Sequence, residues 1–134
     1  MLCGAEHTVQ MDVIPSCSYC RPEIAVTGMT DLKVKAAGIP VKTGKCVMFG
    51  NARTLIVNAG RCFMKLVANS EPHELLGAQM MCKNSTDIIG ENSQATANRM
   101  TVEQMLLTMR PHPAFEEALT EALEDLKNKL DSHA

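Results

Sequence analysis

The hydrophobic periodicity of this 134-residue chain changes near Asn84, and that change decides what it can fold into. Upstream, apart from one short helix, apolar residues alternate or run in blocks of strand length. Downstream they recur at helical spacing. Strands followed by segregated helices indicate an α+β layer fold: an antiparallel sheet of about four to five strands with helices packed on one side.

The strand half has readable joints. Arg61 to Ala68 sets Cys62, Met64 and Leu66 against Phe63, Lys65 and Val67, and Leu75 to Cys82 is a second apolar run. Between them lies Asn69-Ser70-Glu71-Pro72-His73-Glu74, whose turn-forming residues predict an antiparallel hairpin. Val41 to Phe49 is a third strand. Val13 to Cys20 and Glu23 to Gly28 form an opening pair separated by Arg21-Pro22, because proline pushes its predecessor out of helical geometry. Thr30 caps a helix through Ala37, with Gly38 in the left-handed terminating position and Pro40 just beyond.

The helical half begins with Ser85 or Thr86 as cap and Ile88 and Ile89 as anchors. Thr101 and Gln104 have capping-box spacing, and Val102, Met105, Leu106 and Met109 mark the inner side of a short helix that Pro111 stops. Pro113 suits the first turn of the last helix. There Phe115, Ala118, Leu119, Ala122, Leu123, Leu126 and Leu130 form one stripe, with Glu116 and Glu117 early and Lys127 and Lys129 late, as the helix dipole favours.

A chain of this length forms one domain, burying roughly two thirds of its unfolded surface. Residues 1–10, up to Gln10, show no periodicity and read as a tail or the stub of a preceding domain, which leaves 11–134 as the folded unit. Aromatic residues are only 3% of the chain and methionines number ten, so thioethers and branched aliphatics must fill the core. A formal charge of -2 without any basic run excludes nucleic-acid partners. No apolar run reaches membrane length and the start lacks signal-peptide character, so no membrane partner and a cytoplasmic location are expected. The six cysteines are scattered as reduced thiols are, not gathered as in a secreted disulfide framework.

Chemistry could reside in two places. Cys17-Ser18-Tyr19-Cys20 has redox spacing, but it leads into a strand instead of opening a helix, and strand alternation would put the two thiols on opposite faces. A zinc site would need two further close ligands, so no metal is expected. His7 and His133 lie near the chain ends and His73 in a turn, where histidines are ordinarily solvated. His112 differs, being held between Pro111 and Pro113. Lying outside the first helical turn, it could meet Glu117, whose carboxylate would fix the tautomer and leave the other nitrogen as a general base. Spacing alone equally allows His112 to be a plain helix-end residue and Glu117 an exposed first-turn acid.

A longer series of residues adds a resemblance. Ile14-Pro15, Tyr19, Pro22-Glu23-Ile24-Ala25, Gly28 and Thr30 are followed by Phe63, Lys65, Leu66, Leu76-Gly77-Ala78, Asn84, Ile88-Ile89 and Glu91. Thr101, Glu103, Met105, His112-Pro113, Phe115 and Glu117-Ala118-Leu119 complete it. From about Met11 to Leu126 the order resembles the C-terminal dimerisation domain of pyridine nucleotide-disulfide oxidoreductases, and dihydrolipoamide dehydrogenases most of all. The resemblance implies that His112 is the acid/base histidine and Glu117 its orienting carboxylate, and that His112 and Pro113 reach the flavin and redox disulfide of the other subunit of a homodimer. It also implies a parent enzyme using FAD and NAD or NADP on a disulfide or dithiol substrate. No glycine-rich dinucleotide fingerprint and no flavin-domain cysteine pair is present, so this chain alone is expected to bind neither cofactor and to be incompetent as a reductase. Departures are Arg110, where lipoamide enzymes usually carry another histidine, Pro111 after it, and Ala114 in place of threonine. The last residues contain no cysteine pair, unlike mercuric reductases and the larger thioredoxin reductases. A stand-alone binding module and a small thiol redox protein using Cys17 and Cys20 are the competing functions. Met100, Met105, Met109 and the open side of the sheet are expected to supply the surface that a symmetric partner covers.

Overall fold

The computed structural model describes residues 11–132. The expectations for residues 1–10, for His7 and for His133 lie outside the described residues. Five strands, β1 (Ser16–Ser18), β2 (Glu23–Gly28), β3 (Val41–Val47), β4 (Phe63–Asn69) and β5 (Leu75–Cys82), form one sheet in the order β1-β2-β5-β4-β3. Every pairing is antiparallel. Among the described residues the α-helices are α1 (Asp31–Ala36), α2 (Ala52–Ile56), α3 (Ser85–Ala97), α4 (Val102–Leu106) and α5 (Glu117–Asp131).

Register explains the core. Ala25 pairs Met80 and Thr27 pairs Ala78, Met80 pairs Met64 and Ala78 pairs Leu66, and Cys46 and Gly44 continue the two rows onto β3. Because side chains alternate across a strand, all of these lie on one face. The side chains there are buried, beneath α3 over β2 and β5 and α5 over β3 and β4. The stripe expected on the last helix is the buried face of α5, where Ala118, Leu119, Ala122, Leu123, Leu126 and Leu130 meet the sheet. On the opposite face Lys65 bonds Asp31 of α1, and Ile24, Val47 and Phe49 are exposed.

The expected joints are largely present. The turn after β4 is tied by Asn69 Oδ1 accepting from Glu74 N at 2.7 Å, Thr30 caps α1, Gly38 has φ +67°, and Thr101 and Gln104 form a reciprocal capping box. Several boundaries differ. The opening strand is confined to Ser16–Ser18, so alternation does not extend to Cys20, which begins the turn into Pro22. The third strand ends at Val47, where a 3-10 turn (Met48–Gly50) buries Met48 and turns the chain into α2. Asn84, in left-handed geometry, holds the cap position of α3 instead of Ser85 or Thr86. The helix α4 ends at Leu106, well before Pro111. Met105 is buried and does not supply the expected partner surface, and Met100 is half-buried against the core; Met109, expected on the inner side of its helix and also in the partner surface, is 95% exposed. Pro113 precedes α5, which starts at Glu117 after a turn anchored by the buried Phe115.

Candidate functional site

The segment between α4 and α5 carries His112, and three attachments determine where it goes. Glu117, at the first turn of α5, folds its carboxylate back over the turn: Oε2 accepts from Ala114 N at 2.9 Å and Oε1 lies 2.7 Å from His112 Nδ1. The buried Asn51 caps α2 by accepting from Thr54 N and Oγ1, and its Nδ2 donates to Ala114 O at 2.9 Å. Both polar groups of the Ala114 main chain are thereby satisfied. Arg110 reaches away from the surface to α3 and α5. The His112–Pro113 peptide is cis.

His112 and Glu117 are therefore brought together, as the sequence allowed. The Ala114 N–H and then the His112 ring hold the Glu117 carboxyl below the usual carboxylate range. At neutral pH it is ionised, and an ionised carboxylate only accepts. Nδ1 of His112 is consequently the donor of this bond, and Nε2 is the ring nitrogen turned away from the carboxylate. The His112 side chain is 72% exposed and that of Glu117 29%, so the ring projects outward while its orienting group is half-buried. Pro113, Ala114, Phe115 and Glu116 border a groove whose far side is Arg53 and Lys83, and Leu107 and Met109, on the approach to His112, are also exposed.

The other candidates are not drawn in. Cys17 is half-buried against the core, whereas Cys20 is exposed with its thiol donating to Pro22 O at 3.1 Å. His73 is not merely solvated: its Nδ1 lies 2.8 Å from Glu103 Oε1. Glu103 lies on α4, so this contact ties the turn after β4 to that helix. Among the described residues no group of three potential ligands gathers around a metal position. Asn51 was missed by sequence reasoning, yet Asn51 followed three residues later by Thr54 has the spacing of an N-cap and marks the start of α2.

Solved structures share this architecture. LpdA from Mycobacterium tuberculosis superposes with a TM-score of 0.82 at 21% identity, over 88% of this chain and 26% of that one. The HOCl-induced flavoprotein disulfide reductase RclA from Escherichia coli gives 0.76 at 19% identity, over 87% and 26%. In sequence, residues 14–123 match the pyridine nucleotide-disulphide oxidoreductase dimerisation domain, and the chain belongs to that family. Dihydrolipoyl dehydrogenase 3 of Pseudomonas putida is 35% identical over 121 residues, 90% of this chain and 26% of that protein. The dihydrolipoyl dehydrogenase of Bacillus subtilis is 33% identical over 116 residues, 87% and 24% respectively. The chain thus spans about a quarter of the length of these relatives.

Proposed function

We propose that this chain is one half of a shared catalytic site. Within a homodimeric, FAD-dependent pyridine nucleotide-disulfide oxidoreductase of the dihydrolipoamide dehydrogenase type, His112 and Glu117 of one subunit complete the disulfide and flavin site of its partner. The observation that carries this reading is an exposed imidazole whose Nδ1 is tied to a carboxylate and whose Nε2 has no partner among the described residues. A structural histidine would have little reason to leave its ring facing outward, and the exposed apolar Leu107 and Met109 of the same segment are suited to burial by a second subunit.

The chemistry follows from the pair. Only a thiolate attacks a disulfide. His112 Nε2 takes the proton of a substrate thiol, and the Glu117 carboxylate stabilises the resulting imidazolium. The thiolate forms a new S–S bond as the old one breaks, and the imidazolium returns its proton to the departing sulfur. FAD, when bound, supplies the route for the two electrons between the dithiol and NAD or NADP. This chain's contribution to the flavin would be contact by His112 and Pro113, which its outward-facing ring and groove fit; the flavin and nucleotide domains of the same enzyme would hold the cofactors. The five described cysteines are all free, which supports work in a reducing compartment such as the cytoplasm.

The test is substitution in the gene product that carries these residues together with flavin and nucleotide domains. His112→Gln should lower disulfide turnover by about 10²–10⁴-fold with flavin content unchanged. Full activity in that variant would overturn the assignment of His112, and a reading frame lacking both domains would favour a dimer-forming scaffold.

A further inference from the structure

The residue two before His112 is the most deeply buried charge in the region. The Arg110 side chain is 4% exposed, although it sits in a segment whose neighbours Leu107 and Met109 face outward. Its guanidinium forks: Nη2 bonds Glu91 Oε1 of α3 at 2.5 Å, and Nη1 bonds Thr120 Oγ1 of α5 at 3.0 Å and Thr108 O at 3.3 Å. Two helices and the segment's own main chain are joined through one side chain.

The rest of the segment lacks such ties. Among the described residues, Met109 to Pro113 make no main-chain hydrogen bond with another main-chain group. On the far side of His112 the chain is fixed at Ala114 by Asn51 and Glu117. On the near side Arg110 is the fixed point. The Arg110 end of the pair is buried while the Glu91 end is 37% exposed, so desolvation of the guanidinium offsets much of the attraction, and the better-attested use of such a pair is to select one arrangement over others. Here the arrangement selected is the path of the main chain that delivers His112 to Glu117.

We propose that Arg110 is a positioning residue for the imidazole of His112, clamping its near side to α3 and α5 so that Nδ1 stays on the Glu117 carboxylate. The proposal rests on the acid/base reading given above. The forked geometry matters as much as the charge: a lysine ammonium is a single point and cannot reach Glu91 and Thr120 as guanidinium does.

The test is long-range ¹H–¹⁵N correlation NMR of the histidine rings in this chain at neutral pH, with His112 assigned from the loss of its signals in His112→Gln. The unsubstituted chain should show one tautomer at His112, protonated on Nδ1. Arg110→Met should lose that single-tautomer pattern and move toward an unrestrained imidazole, while the signals of His73, which is held by Glu103 on a different element, stay in place. A purely supporting role would lower the melting temperature and leave the His112 tautomer intact, and that result overturns the proposal. Should Arg110→Met fail to fold, Thr120→Val leaves the Arg110–Glu91 ion pair whole and removes only the α5 anchor; an unchanged tautomer there overturns the clamp, and a mixed one supports it. If the unsubstituted chain itself shows no Nδ1 preference, the acid/base reading fails first, and the two failures remain distinct.

Discussion

At the scale of the residue, environment separates thiols that composition makes look alike. Burial, and then a hydrogen bond to Glu121, pushes the Cys46 thiol up to about 12. Burial with the nearby Cys62 and acidic groups does the same to Cys82, also to about 12, and burial raises Cys62. At pH 8 a thiol of that kind is ionised to about one part in ten thousand, and only the thiolate reacts. Cys20 is exposed. Alkylation of the folded chain mapped by mass spectrometry should therefore label Cys20 promptly and Cys46 and Cys82 only after denaturant is added. Labelling of Cys82 as fast as Cys20 would mean that the end of β5 is not packed as described. The pair with redox spacing is also divided by its surroundings: Cys17 packs against the core and Cys20 bonds a carbonyl in the next turn.

At the scale of the element, Gly44 shows how closely α5 lies on the sheet. A Cβ placed there would stand 2.2 Å from Ala122 O and 2.4 Å from Leu126 Cβ. The helix backbone cannot give way as a flexible side-chain end would, so Gly44→Ala should cost about 1–3 kcal/mol through overpacking. Gly38→Ala meets open space, so its cost of about 1–2 kcal/mol comes from the positive φ alone. Denaturant titration of the two variants checks this; a Gly44→Ala chain as stable as the original would show that α5 rides higher over β3. Elements with strong periodicity were legible from sequence: β5 has the expected limits, and the inner face of α5 is the expected stripe. What was not legible was set by tertiary contact. The chain leaves β3 after Val47 because Met48 has a core site to fill. The five-residue α2 is too short to show a period, and Asn51 matters because its amide reaches Ala114, 63 positions away. His112 and Glu117 could be paired on paper, but only Phe115 in the core and Asn51 on Ala114 give the turn that joins them.

At the scale of the whole molecule, carboxylates tie the sheet to the helices. Burial would raise Asp125 on α5, but the Lys129 ammonium and the Lys45 N–H, the latter at 2.8 Å, together hold it below its ordinary value of 3.8. Asp31 on α1 is depressed likewise, its burial outweighed by Lys65 on β4, and Glu103 on α4 by His73 and its own cap contacts. A group whose pKa is lower folded than unfolded contributes stability above the unfolded value and loses it as pH falls through the folded one. Unfolding free energy from urea titration should therefore be steady from pH 7 toward pH 5 in respect of these groups, then fall below about pH 4, where the unfolded chain takes up protons first. Asp125→Asn separates this linkage from general charge repulsion at low pH. It should be less stable than the original at pH 7, and the gap should narrow as pH drops through the depressed Asp125 value, since the protonated aspartate has by then lost the same attraction. A gap that stayed constant to pH 2 would show that Asp125 acts through neutral hydrogen bonding to Lys45 N and not through its charge.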